Sequence, residues 1–337
     1  MAQYFTNIVG NDALRQRLAT DILSDSFSHA YIIEGRDGSG RHTLAYNLAA
    51  ALCCLDRHSD TFPCLACEAC RKVLENKTPD VILVGLEEDR ATIGVEAARF
   101  IRQDAMVVPN DFERKIYIIE NADLMTEQAQ NALLLTLEEP HSYAVFFLLC
   151  NSASSLLETV RSRAPIIRTE PLSDKQLSDY LIDNDSRAAA MASGNSEQFS
   201  ALLQKSNGCI GRAMTLLDPK KSKAEADRHT LAESFVRIFA TKASAVERAV
   251  LVKGFPTKRT DAADTLGAVS LAIRDLIALK KSDTAPLCFY SDREAATELS
   301  YRFTLSTLFS LYQKVEDSTT ALSHNSNVRL TLTSLIQ

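Results

Sequence analysis

Tryptophan is absent from this 337-residue chain, and aromatic residues make up only 7% of it. Stacking platforms for bases are therefore not advertised. A strong basic excess is missing too. The net charge is −6, unevenly spread: residues 1–223 carry 23 basic and 30 acidic side chains, residues 224–337 carry 14 and 13. Neither part has the charge of a protein that grips nucleic acid mainly through phosphates, although a local basic groove is compatible with it. Long apolar runs are lacking. The longest, Leu48–Leu55 and Tyr143–Cys150, are eight residues each, whereas a membrane-spanning helix needs about 20. The opening MAQYFTNIVGND has no basic stretch followed by an apolar one, so no secretory signal and a cytoplasmic address are expected.

What is present is an ordinary folding composition, 46% hydrophobic and 24% charged, which excludes disorder as the main state. The length suggests two or three domains. Over the first ~165 residues helical and strand patterns alternate. Helices are expected over Asp12–Leu23, Arg41–Leu55, Val95–Ala105 and Glu127–Glu138, and strands over Ala30–Ile33, Val81–Val84, Lys115–Ile119 and Ala144–Leu149. Such alternation predicts a parallel sheet flanked by helices. Asp174–Leu217 reads as helical with breaks at Gly194–Ser196 and Ser206–Gly211. Pro219–Lys223 reads as a charged hinge. Beyond it the pattern is all-helical, including Asp264–Lys280 and Ala295–Val315, with breaks at Pro256 and Pro286. The expected organisation is an α/β domain over 1–170, a small helical domain over 171–222 and an all-α domain over 223–337.

Gly35-Arg36-Asp37-Gly38-Ser39-Gly40-Arg41-His42 follows an expected strand and opens an expected helix. That is the setting of a phosphate-cradling loop, whose glycines let backbone N–H groups curl around an anion at a helix N-terminus. Such loops continue with Lys, which reaches the terminal phosphates, and Ser or Thr, which holds magnesium. Here Arg41 and His42 occupy those places. Arginine keeps the charge with a different geometry, and imidazole is a poor ligand for a hard cation. Thr43 has a hydroxyl but lies about 100° around the helix, pointing elsewhere. After the strand Lys115–Ile119, where hydrolysis calls for Asp then Glu, stand Glu120 and Asn121. Four altered places in one site predict a chain that does not hydrolyse nucleotide; a plain glycine-rich turn is the alternative.

Of eight cysteines, Cys64, Cys67 and Cys70 form two overlapping C-x2-C pairs, with Cys54 upstream. Away from an oxidising compartment this spacing favours tetrahedral zinc over disulfides or free thiols. Cys53 or His58 could replace Cys54 as the fourth ligand. Cys150, Cys209 and Cys288 are expected to be small apolar packing residues.

Phe5-Thr6-Asn7-Ile8-Val9-Gly10-Asn11, His29-Ala30-Tyr31, Asn131-Ala132-Leu133-Leu134-Leu135-Thr136-Leu137-Glu138-Glu139-Pro140, Ser162-Arg163-Ala164, Gly208-Cys209-Ile210-Gly211-Arg212 and Leu322–Leu330 resemble, in order, motifs of the AAA+ clamp-loader subunits of bacterial DNA polymerase III. The resemblance spans essentially the whole chain. It implies an AAA+ domain carrying an inserted zinc module at about 54–70, a helical lid and a C-terminal collar for oligomerisation. It favours Cys54 as the fourth zinc ligand, since family members carry a Cys, a linker and C-x2-C-x2-C here. It implies that Arg163 acts in trans as an arginine finger on a neighbour's ATP, with Arg161 as its competitor and an ordinary surface salt bridge as the bland alternative. Arg212 would be the sensor-2 arginine, touching a residual nucleotide or tying lid to core. Gly35, Gly38, Gly40 and Arg41 would form a degenerate nucleotide loop. Asn151 would stand at the sensor of the terminal phosphate or merely satisfy backbone groups. His29 would pack or cap.

The implied partners are gamma/tau-type ATPase subunits, the delta subunit, the sliding clamp and, through the complex, primed DNA, in a hetero-oligomer without membrane contact. The expected role is a non-hydrolysing subunit that helps load the clamp. The alternatives are an ATP-hydrolysing gamma-type subunit and a stand-alone zinc-containing DNA-binding protein.

Overall fold

The computed structural model describes all residues except 1–2, 58–59, 88–89, 91, 242, 283, 286, 324–325 and 336–337. The chain divides into two compact units, one ending at Asp218 and the other starting at Pro219.

In chain order the first unit holds β1 (Gln3–Tyr4), α1 (Asp12–Leu23), β2 (Ala30–Glu34), α2 (Arg41–Leu52), β3 (Thr61–Phe62), α3 (Glu68–Leu74), β4 (Val81–Val84), α4 (Val95–Asp104), β5 (Lys115–Ile119), α5 (Glu127–Glu138), β6 (Ala144–Cys150), α6 (Glu158–Arg161) and β7 (Ile166–Arg168). Four helices follow: α7 (Asp174–Asn184), α8 (Ser186–Gly194), α9 (Ser196–Ser206) and α10 (Ile210–Leu217). Five strands form one parallel sheet in the order β4-β5-β6-β2-β7. The strands β5 and β6 are buried along their whole length, the unbroken apolar pattern of a strand covered on both faces. Their side chains alternate between two cores. Ile116, Ile118, Val145 and Phe147 pack with α1, α2 and α3; Tyr117, Ile119, Phe146 and Leu148 pack with α4, α5 and α6. Lys115 is accommodated because its Nζ meets Asp104 Oδ2 at 2.8 Å, beside the Tyr117 hydroxyl, which donates to the same oxygen.

The second unit is all-helical: α11 (Pro219–Thr241), α12 (Ala245–Gly254), α13 (Arg259–Lys281), α14 (Arg293–Tyr301), α15 (Leu305–Ser323) and α16 (Val328–Leu335). Its core gathers Phe235, Leu266, Ile273, Leu276, Leu308 and Val315. Asp275, fully buried, accepts the backbone N–H groups of Cys288, Phe289 and Tyr290 and so fixes the segment before α14.

Several local expectations need correction. The helix begun at Arg41 stops at Leu52, not Leu55, because the chain turns there to bring Cys54 to the other cysteines. Pro219–Lys223 is no hinge but the first turn of α11, where proline costs nothing because its missing N–H would be unbonded anyway. Ala295–Val315 is two helices; Thr304 accepts the Thr307 N–H and starts α15 anew. Cys288 is exposed rather than packed. The break at Pro286 lies outside the described residues. The short parallel pair β1–β3, the helix α3 and the edge strand β7 were not foreseen.

Candidate functional site

The loop between β2 and α2 sits where β2 has β6 on one side and β7 on the other. Crevices at such strand ends are where open α/β sheets hold ligands. Gly35 N–H donates to Cys150 O at 3.1 Å, Thr169 N–H donates to Glu34 O at 2.9 Å, and the Ser39 and Thr169 hydroxyls are 2.8 Å apart. The loop is thus tied to both neighbouring strands. Gly38 and Gly40 have φ of +77° and +89°, a region L side chains rarely enter. The helix α10 reaches the same loop: Gly211 N–H donates to Gly38 O at 3.0 Å.

A cavity of about 370 Å³ opens here. Its apolar wall is Ile8, Val9, Leu14, Leu172, Tyr180 and Ile210, and its polar wall is the loop and the start of α2. Arg15 shapes the first of these by donating to Ile8 O at 2.8 Å. Thr43, expected to face away, lines the cavity; Arg163 and Arg212 are not among its lining residues.

The side chains that replace the usual Lys and hydroxyl are engaged with each other's surroundings. Arg41 is 4% exposed, and its Nη2 donates to Asp37 Oδ1 at 2.6 Å. Its Nη1 is buried with no hydrogen-bond partner among the described residues. His42 Nδ1 lies 2.8 Å from Glu120 Oε1. Glu120 is itself set by its N–H donating to Val84 O at 2.7 Å. The usual magnesium arrangement is altered here: imidazole is a poor ligand for a hard cation, and the Glu120 carboxylate, an oxygen such an ion accepts, is engaged by His42. Asn121 lines the cavity with its backbone in the left-handed region. Asp123, which sequence reasoning passed over, accepts the Asn151 backbone N–H at 3.1 Å. Asn151 therefore takes part in a backbone bond at the end of β6. His29 Nε2 pairs with Leu137 O at 3.0 Å, a packing role as expected.

Arg163 lies just beyond α6. Its Nη1 donates to Thr159 O at 2.8 Å and Ser162 Oγ at 3.0 Å, and its Nη2 meets Glu138 Oε1 at 2.5 Å. Arg161 is exposed on α6. Arg212 follows Gly211 on α10; a Cβ on Gly38 would stand 2.7 Å from its backbone N.

The C-x2-C cysteines come together with Cys54, the fourth ligand that the family resemblance favoured. The sulfur atoms of Cys54, Cys64, Cys67 and Cys70 all lie within 4.8 Å of one another, and Cys64 Sγ and Cys70 Sγ are 3.9 Å apart. A tetrahedron with metal–sulfur bonds of ~2.3 Å has edges of ~3.8 Å, so this group could hold a metal ion. Backbone N–H groups point at the sulfurs, Cys67 to Cys64 at 3.3 Å and Cys70 to Cys67 at 3.4 Å. For Cys67, burial works upward, but the N–H donors and neighbouring thiols outweigh it and bring the thiol to about 7. Burial pushes Cys53 up to about 12, and it stands outside the group. His58 lies outside the described residues. The strand β3, between Cys54 and Cys64, pairs with β1, and Phe5 packs edge-on against Phe62. The module is thereby joined to the segment that enters the cavity wall.

Residues 10–173 match the family described as DNA polymerase III, delta subunit. The DNA polymerase III subunit delta' of Bacillus subtilis is 33% identical over 168 residues, covering 50% of this chain and 50% of that protein. The DNA polymerase III subunit gamma/tau of Mycoplasma pneumoniae is 27% identical over 234 residues, covering 68% of this chain and 33% of that one. Among solved structures, a DNA polymerase III gamma subunit-related protein of Thermotoga maritima aligns over 95% of this chain and 97% of its own at 20% identity, with a TM-score of 0.39. The chain spans half or less of the length of these two curated relatives.

Proposed function

Starting from a chain whose residues 10–173 belong with the DNA polymerase III clamp-loader subunits of the delta-prime type, we propose that it is a subunit that assembles into a clamp loader without hydrolysing ATP itself. The observation that carries this is the His42–Glu120 pair at 2.8 Å. Hydrolysis at a phosphate loop needs a metal-binding hydroxyl and a group that polarises water. Here an imidazole and a carboxylate fill that place and bond each other. Arg41 is paired with Asp37 at 2.6 Å.

In this reading the useful chemistry is exported. Arg163 reaches a neighbour's ATP, where a cation stabilises charge on the transferring phosphoryl group. The partners are gamma/tau-type ATPase subunits, a delta subunit and the sliding clamp, loaded on primed DNA in the cytoplasm. The region over about 171–222 is a lid and 223–337 a collar that assembles the ring. Val246 and Val250, which are 72% and 65% exposed one turn apart on α12, are suited to cover against another subunit. The ion at Cys54, Cys64, Cys67 and Cys70 is a structural zinc, because four thiolates leave no open position.

The gamma/tau relatives keep a second reading in play, an ATP-hydrolysing subunit. One experiment separates the two. The chain is assayed alone and in a complex reconstituted with its clamp-loader partners, with and without Arg163→Ala. The proposal expects no turnover from the chain alone. It also expects a reduced DNA- and clamp-stimulated ATPase in the mutant complex, by less than the ~10³–10⁵ of an isolated finger because other sites keep theirs. Magnesium-dependent turnover by the isolated chain supports the second reading, and an unchanged complex ATPase removes the finger.

A further inference from the structure

Arg163 does not extend from the protein. Its Nη1 turns back to the carbonyl of Thr159, one helical turn earlier, and its Nη2 meets Glu138 Oε1 at 2.5 Å. Glu138 is the last residue of α5. A carboxylate at a helix C-terminus faces the negative end of the helix dipole, so a guanidinium beside it is favoured. The same helix also grips the segment leading into α6. Buried Gln130 accepts the Leu157 N–H at 2.8 Å while donating to Met125 O at 3.2 Å. So α5 holds α6 at its start through Gln130 and holds Arg163, two residues past its end, through Glu138. Both members of the ion pair are partly open to water, Arg163 at 34% and Glu138 at 41%, so the pair can separate without disturbing a core. A carboxylate and a phosphate oxygen are interchangeable partners for a guanidinium.

Building on the reading of Arg163 as a finger, we propose that Glu138 stows it. In a ring not yet stimulated by DNA and clamp, Glu138 competes with the neighbour's phosphate for Arg163, and the finger acts only when it leaves Glu138. Glu138 touches no reacting atom; it acts through Arg163.

The test is ATP hydrolysis by the reconstituted complex carrying Glu138→Gln, which keeps the shape and removes the charge. Unstimulated ATPase should rise roughly two- to fivefold, the span of an exposed ion pair. Stimulated ATPase should change little, since the finger is then already released. In the double variant with Arg163→Ala the rise should vanish, which a merely structural role for Glu138 would not produce. An unchanged unstimulated rate, a fall in the stimulated rate, or a rise that survives Arg163→Ala overturns the stowing role. A complex indifferent to Arg163→Ala alone overturns the finger reading instead, so the two failures are told apart.

Discussion

The helix α10 meets the β2–α2 loop where Gly211 approaches Gly38, and Gly211→Ala tests that contact directly. A Cβ at position 211 would stand 2.7 Å from Gly38 Cα and 3.3 Å from Gly38 O. Ordinary carbon–carbon contacts begin near 3.5 Å, so the two backbones must part by about 1 Å. Overpacking of this kind costs about 1–3 kcal/mol, and stretching the Gly211 N–H bond to Gly38 O adds about 0.5–1.5 kcal/mol. Alanine returns about 1 kcal/mol as the better helix former within α10. The net is about 0.5–3.5 kcal/mol against the docked α10, or roughly 2- to 300-fold in its opening equilibrium. Amide hydrogen exchange reads that equilibrium when closing is fast. Peptides from Asp174–Asn184 and Ile210–Leu217 should exchange faster by that factor, while those around Cys64–Cys70 should not change. Gly194→Ala is the control, because nothing lies within 4 Å of the added Cβ. Unchanged protection in these peptides would refute the argument that this backbone approach, rather than the α7–α10 core of Leu177, Leu181 and Phe199, secures α10 to the loop.

Three further outcomes are expected. One metal ion per chain should be found by metal analysis, lost after Cys64→Ser with Cys67→Ser and retained after Cys53→Ser; full occupancy after Cys54→Ser would move the fourth ligand to Cys53 or His58. Chelation should loosen that segment first, since metal binding there is coupled to folding. Gly267→Ala, in the middle of α13 with nothing within 4 Å of the new Cβ, should raise the stability of the helical unit by about 0.5–1 kcal/mol, seen as a higher melting temperature; a lower one would mean that this face of α13 is packed.

Local features were legible in the sequence because their causes are local. The runs Lys115–Ile119 and Ala144–Cys150 are strands because β-branched and aromatic residues occur without a polar break, and α5 is a helix because its apolar residues recur at helical spacing. Cys64, Cys67 and Cys70 could be chosen as ligands from their C-x2-C spacing, whereas spacing left Cys54, Cys53 and His58 open as the fourth and only the family resemblance favoured Cys54. Boundaries were less legible. The charged Pro219–Lys223 looked like a hinge, yet proline in a first turn is compatible with a helix, and composition does not separate the two cases. Ala295–Val315 kept a helical period across Thr304, where a side-chain cap interrupts it.

The sequence by itself determined the loop, the residues substituted in it, the C-x2-C cysteines and the main alternation of helices and strands, since each depends on neighbours within a few residues. Only the tertiary structure decided what those residues meet. His42 faces Glu120 because α2 begins where β5 ends, at the same edge of the sheet; Gly211 meets Gly38 because α10 folds back onto the loop after β2; and Arg163 lies on Glu138 because α6 returns beside α5. Partners of this kind are set by how the chain crosses itself, and no periodicity along the sequence carries that information.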